Sequence, residues 1–154
     1  MWKLKEKLKK RLSGETGHSI KDWGGKASVA LVYPNEYRIG MGNLAIHSIY
    51  SILNSREDVV CERAFLPDRA DIAEYRQNNV DLMSMESQTP LCQFDAIAFT
   101  VSFENDYLNV LPILEMAKIP HRSTERTLDH PLMIAGSAAL TINPAPLSEI
   151  FYAI

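Results

Sequence analysis

The chain has 154 residues, 46% of them hydrophobic and 23% charged, the size and composition of one globular domain able to bury its own core. No apolar run approaches the roughly 18–20 residues needed to cross a bilayer. The first residues lack the apolar stretch and small-residue cleavage site of a secretory signal, so we expect a cytoplasmic protein without a membrane span.

The formal net charge of −3 hides an asymmetry. Residues 1–12, MWKLKEKLKKRL, carry six Lys or Arg against one Glu, a local +5 that leaves the remainder at −8. Leu4, Leu8 and Leu12 recur every four residues, which predicts a basic amphipathic helix. Such a helix either docks by its leucine stripe with its lysines in water or serves as a nucleic-acid or membrane-surface arm, and in the interaction reading below it would touch an RNA or protein substrate. The body offers no basic patch to continue a nucleic-acid track. Residues 13–27 are polar and glycine-bearing (SGETGHSIKDWGGKA) and read as a leader loop.

From residue 28 strands and helices alternate. Residues 28–33 are an apolar strand, followed by a glycine-bearing turn and a helix over 43–53 with apolar residues at Leu44, Ile46, Ile49, Tyr50 and Leu53. A second strand covers 59–65 and a helix 68–78, with Asp68 as its cap. A short extended piece lies at 82–85. A third strand covers 96–102 (AIAFTVS), a helix 106–118, a fourth strand 132–135 stopped by Gly136, and a fifth strand 150–154. Strands apolar on both faces and alternating with helices predict a mostly parallel sheet covered on both sides, with right-handed crossovers. The last residues, EIFYAI, are strand-like and end without a polar tail, so we expect the amino-terminal piece of a longer polypeptide.

In an open parallel sheet, ligands bind beyond the carboxyl ends of the strands. The loop after the first strand supplies Glu36 and Tyr37 as hydrogen-bonding groups, Gly40 and Gly42 for close backbone approach, and Met41 and Asn43 beside them. It lacks the GxGxxG spacing, and no lysine follows as in a P-loop. After the third strand come Ser102, Glu104 and Asn105; Ser102 or Asn105 would cap the next helix, and Glu104 would accept from a ligand. The fourth loop, AGSAALTINPAP, offers Gly136, Ser137 and Asn143, small groups that leave room for a planar ring or a long cofactor tail.

Other chemistry is poorly supported. Cys61 and Cys92 have no metal or cluster spacing and read as buried free thiols, with Met83 and Met85 as packing residues. His18, His47, His121 and His130 are scattered, so we assign no metal ligands and no catalytic residues.

The segments GETGHSIKDW, VALVYPNEYRIGMGNLAIHSIYSIL, MESQTPLCQFDAIAFTVSFENDYLNVLPILEMAKIPHRS and PLMIAGSAALTINPAPLSEIFYAI resemble, in this order, the amino-terminal part of a group of radical S-adenosylmethionine (SAM) proteins. In those proteins a cobalamin-binding-like domain precedes the radical barrel. The resemblance implies an α/β, Rossmann-like (flavodoxin- or cobalamin-binding-like) three-layer α/β/α domain of about five strands over residues 28–154. It also implies a [4Fe–4S] cluster and S-adenosylmethionine bound only in a missing carboxyl-terminal part, through a CxxxCxxC motif that these residues lack. Cobalamin carriers that ligate cobalt through a protein histidine carry DxHxxG after the first strand. Here that stretch is NEYRIGMGN, so a bound cobalamin would take no histidine from this loop, and the Gly-Gly pair near the fourth strand appears as Gly136-Ser137.

The expected function is therefore an accessory, non-catalytic domain that binds cobalamin or shapes the substrate entrance of its own radical SAM barrel. The rival is a structural domain without a small ligand, contacting an RNA or protein substrate; a free-standing nucleotide-binding enzyme ranks last. An open groove lined by small residues favours cobalamin. A groove plugged by Tyr37, Met41 or Phe103 favours the interaction role.

Overall fold

The computed structural model describes residues 2–154. The elements in chain order are α1 (Trp2–Ser13), β1 (Ala27–Glu36), α2 (Tyr37–Gly40), α3 (Leu44–Asn54), β2 (Val59–Leu66), α4 (Arg69–Gln77), β3 (Ala96–Thr100), α5 (Tyr107–Met116), β4 (Leu132–Gly136) and α6 (Ala138–Ile142), with short 3-10 turns between them. The four strands form one all-parallel sheet in the order β2-β1-β3-β4.

The two faces of the sheet are read directly from alternating side chains. On one face Ala30, Val32, Ala64, Ile97, Phe99 and Met133 pack against Tyr75 of α4 and Val110, Ile113 and Leu114 of α5. On the other face Leu31, Tyr33, Cys61 and Phe65 pack against Ile46 and Tyr50 of α3. The result is the expected Rossmann-like three-layer α/β/α arrangement. Cys61 is buried and its thiol is pushed up to about 12, by burial first and by the Glu86 charge second. Cys92 is only half-buried. Met83 and Met85 are core residues, as expected.

The sheet has four strands, not five. Residues 150–154 reach the β4 edge only through a parallel bridge between Ile134 and Ala153, with Ala135 N donating to Ala153 O and Tyr152 N to Met133 O. Ile150 and Phe151 are consecutive yet both enter the same core, where the Phe151 ring lies 5.3 Å from that of Phe99. Two neighbours on one side break the strand period of two. Residues 82–85, expected as a short extended piece, lie outside the four strands. Met85 N donates to Arg63 O on the free edge of β2, and Met83 bridges Pro90, so the segment blunts that edge.

The helix expected at 1–12 is α1, Trp2–Ser13, with Met1 outside the described residues, and it docks. Leu4 enters the core on one side of β2, Leu12 enters the core on the other, and Leu8 touches both. Lys7 donates to Asp68 and Asp71, and Arg11 donates to Asp68. Asp68 therefore occupies the N-cap position of α4 without capping it; its carboxylate faces α1 instead. The leader loop then wraps the sheet margin. Trp23 packs at a tilt against Phe94 and donates to the buried Glu62, and Ser19 is tied to the Tyr50 hydroxyl. Glu62 is further satisfied by the hydroxyls of Ser84 and Ser87, which explains a carboxylate in a strand interior.

Candidate functional site

β1 pairs with β2 on one side and β3 on the other, so the connections after β1 and β3 depart in opposite directions. That divergence opens a crevice at the carboxyl ends of β1 and β3, where ligands of open α/β sheets bind. Three of the four expected loops meet there. The Asn43 side chain caps α3 by accepting from Ala45 N and donates to Ser102 Oγ at 2.9 Å. Ser102 Oγ lies 3.3 Å from Ser137 Oγ. One chain of polar contacts thus links the loops after β1, β3 and β4.

Below this polar cluster an apolar groove of about 440 Å³ runs along the α3 face of the sheet. Its floor is small: Ala96 and Ala98 of β3, Gly136 of β4, with Ala45 and Ile49 of α3 as one wall and Ile134 beyond. A Cβ placed on Gly136 would meet nothing within 4 Å, so the space above it is free. Neither Tyr37, Met41 nor Phe103 lines this groove. Tyr37 packs edge-on against Phe65 and donates to Glu15, Met41 lies by Arg63, and Phe103 points outward at 61% exposure.

Ser137 carries a backbone cost. Its φ of 100° and ψ of −179° fall in a region occupied almost solely by glycine, at a typical cost of about 1–3 kcal/mol. This strain turns the chain sharply from β4 into α6 and holds the hydroxyl against Ser102. Around the cluster, three buried polar atoms have no partner: Tyr33 Oη, Thr100 Oγ1 and Asp106 Oδ2. Thr100 belongs to the groove wall. Burial pushes the Asp106 carboxyl up, an effect that the hydrogen bond from Asn35 to its other oxygen only partly offsets. Burial, and then the Asp106 charge, also pushes the Tyr33 hydroxyl up. Buried polar atoms left open in this way mark a place where water or a ligand completes the bonding.

The other expected site residues are distributed differently. Gly40 is buried under the Phe65 ring, and a Cβ there would stand 2.5 Å from a ring carbon. This glycine serves packing. Gly42 is exposed, its only crowding being the Ile39 carbonyl at 3.4 Å, and Glu36 is half-buried at the end of β1. Glu104 and Asn105 are exposed, away from the polar cluster. Neither Ser102 nor Asn105 caps α5, whose N-cap position is Asp106 without a side-chain cap. Asn143 is exposed, and its carbonyl accepts from the Tyr107 hydroxyl.

Sequence reasoning missed Tyr33, Asn35, Thr100, Asp106 and the buried Arg63. Arg63, on β2, bonds Glu86 through Nε, lies 2.7 Å from Glu15 Oε2, and places its guanidinium over the Tyr50 ring at 4.6 Å. Burial works against that charge, but the Glu86 and Glu15 carboxylates outweigh it and hold the guanidinium above its ordinary value. Two charged residues in a row inside an apolar strand, Glu62-Arg63, were the available signal.

Residues 45–154 match the family described as radical SAM proteins, N-terminal. The chain belongs to that family. It is also 26% identical over 124 residues to an uncharacterized protein of Methanocaldococcus jannaschii. That match covers 80% of this chain but 22% of the relative, so the chain spans about a fifth of the length of the curated protein it resembles. No solved structure matches the chain. Among the described residues there is no group of His, Cys, Asp and Glu suited to a metal ion, and no helix long and apolar enough to cross a membrane.

Proposed function

We propose that this radical SAM N-terminal domain is an accessory, non-catalytic module that binds cobalamin at its strand ends and presents it to the radical SAM barrel of the full-length protein. The supporting observation is the open groove floored by Ala96, Ala98 and Gly136 and bordered at its upper end by Ser137, whose hydroxyl lies against Ser102 and, through it, Asn43. Its volume of about 440 Å³ lies within the range of small-ligand pockets, roughly 300–1,000 Å³. An apolar slot with hydroxyl and amide groups at one end suits a flat heteroaromatic ring with polar edge atoms, the chemistry of the nucleotide tail of cobalamin.

The residues present fit this group in a particular way. Ala96, Ala98, Ile134 and Gly136 would hold the tail, and the Thr100 hydroxyl, otherwise unpartnered, would gain a bond. The first loop offers no histidine to cobalt. His47 follows it on α3, but its Nε2 is engaged by the Met41 carbonyl at 2.8 Å. When bound, a corrinoid supplies cobalt-centred group-transfer chemistry; this chain's residues bind and orient it. The [4Fe–4S] cluster and S-adenosylmethionine belong, in this reading, to the carboxyl-terminal part of the full-length protein.

The interaction reading has its own observation. Ile39, Leu44, Phe103 and Ile142, from loops or helix ends near the carboxyl ends of three strands, are 49%, 79%, 61% and 80% exposed. This apolar rim would seat the barrel, and the lysines on the outer face of α1 would contact an RNA or acidic protein substrate. The test is a titration of the domain with hydroxocobalamin and methylcobalamin, followed by visible absorbance and calorimetry. Saturable binding with a base-off spectrum supports the cobalamin reading. Absence of binding at high micromolar concentration leaves the rim as the working surface.

A further inference from the structure

A second chamber, of about 190 Å³, lies apart from the groove, between the leader loop and α3, where Glu15, His18, Met41, His47, Tyr50 and Arg63 meet. The Arg63 side chain is 3% exposed. Its Nη1 has only the Met41 sulfur, at 3.4 Å, whereas its Nη2 is held by Glu15 Oε2 at 2.7 Å. His18 Nδ1, also buried, has no partner. Donors and an undecided ring nitrogen are therefore left incompletely bonded around one small space.

The charges restrict what enters. Arg63 is already flanked by Glu15 and Glu86, so an anion would meet two carboxylates at close range. A cation would meet the guanidinium. A neutral group that both accepts and donates suits the set: a carbonyl oxygen to accept from Arg63, and an N–H to donate to Glu15 or to His18 Nδ1. We propose that this chamber is a subsite for a primary carboxamide. Resting on the cobalamin reading, it receives one of the carboxamide arms at the edge of the corrin ring while the tail lies in the groove. Met41 borders the chamber and belongs to the first strand-end loop, whose Asn43 bonds Ser102 at the polar cluster above the groove.

The experiment compares calorimetric titrations of the wild-type domain with cobalamin and with its isolated monocarboxylic acids, in which one carboxamide has been hydrolysed. The proposal predicts that one monoacid binds at least about tenfold more weakly than cobalamin, the effect of leaving a buried polar group mispaired. His18→Phe, which fills the chamber, is expected to weaken cobalamin by a similar factor and to erase the difference between cobalamin and that monoacid. His18→Asn, which keeps a donor and an acceptor, is expected to preserve the difference. If His18→Phe fails to fold, the wild-type comparison still decides. Equal binding of cobalamin and every monoacid overturns the subsite, leaving the chamber to water, while the cobalamin reading stands. No binding of any corrinoid overturns both.

Discussion

The two halves of this sheet's strand-end edge are built from the same fold and behave in opposite ways. At the β1–β2 half, large side chains fill the α3 face: Leu31, Tyr33, Cys61 and Phe65, roofed by Tyr37 and locked by the ionic contacts of Arg63. At the β3–β4 half, the same face carries Ala96, Ala98 and Gly136, and the groove stays open. Small side chains on β3 and at Gly136, together with the seat of α3 over β1 and β2, decide which half is core and which is open. The glycines show this most plainly: Gly40 has a ring at 2.5 Å from its would-be Cβ, whereas Gly136 has nothing within 4 Å.

The comparison can be broken or sharpened by substitution. The largest effect belongs to Arg63→Met, which leaves Glu86 buried without its partner; we expect a loss of about 3–5 kcal/mol in urea unfolding. Next is Gly40→Ala, where the added methyl meets the Phe65 and Tyr33 rings; overpacking of this kind costs about 1–3 kcal/mol. The matched change Gly136→Ala is expected to cost under about 1 kcal/mol, because its space is empty and the residue lies on the open half. Equal losses at the two glycines would remove the distinction between the halves. Ser137→Gly should stabilise the domain by about 1 kcal/mol, the relief of a glycine-like φ less the backbone entropy that glycine loses on folding. A loss of stability there would mean that the Ser137 hydroxyl outweighs its strain.

The smallest effect is a pH dependence at the α1 margin. Burial pushes the Asp68 carboxyl up, but the hydrogen bond from Lys7 and the charge of Arg11 outweigh it and hold the carboxyl below its usual value. A carboxylate lowered in the folded state contributes stability that is present above its unfolded pKa, near 3.9, and is lost as pH falls through the lower folded value. The pair is partly exposed, so the loss should not exceed about 1 kcal/mol. Acid titration of wild type against Asp68→Asn checks it: the variant should show a shallower loss of stability below pH 4.

Much of the fold was legible in the residues because apolar period and glycine placement act locally. The four strands, the helices after the first three and the leucine stripe of α1 stand where the pattern puts them, whereas α6, within the stretch AGSAALTINPAP, was read as loop. The supposed fifth strand failed because Ile150 and Phe151 both turn inward, a packing choice that hydrophobicity alone does not reveal. At the site, Asn43, Ser102, Gly136 and Ser137 were legible from loop position and are brought together. Glu104, Asn105 and Asn143 were chosen by the same rule and lie outside the cluster, since loop position does not say which way a side chain faces. Tyr33, Thr100 and Asp106 were not legible; they look like core and cap residues until their unpartnered atoms are seen.

The measurement that tests the central claim most directly compares cobalamin with cobinamide, which has the corrin ring but lacks the nucleotide tail, on the wild-type domain and on Ala98→Phe. The account predicts that cobalamin binds at least about tenfold more tightly than cobinamide, the worth of burying an aromatic group in a preformed slot, and that Ala98→Phe abolishes the advantage. Equal affinity for the two corrinoids, or tight cobalamin binding by a folded Ala98→Phe, would contradict the assignment of the groove.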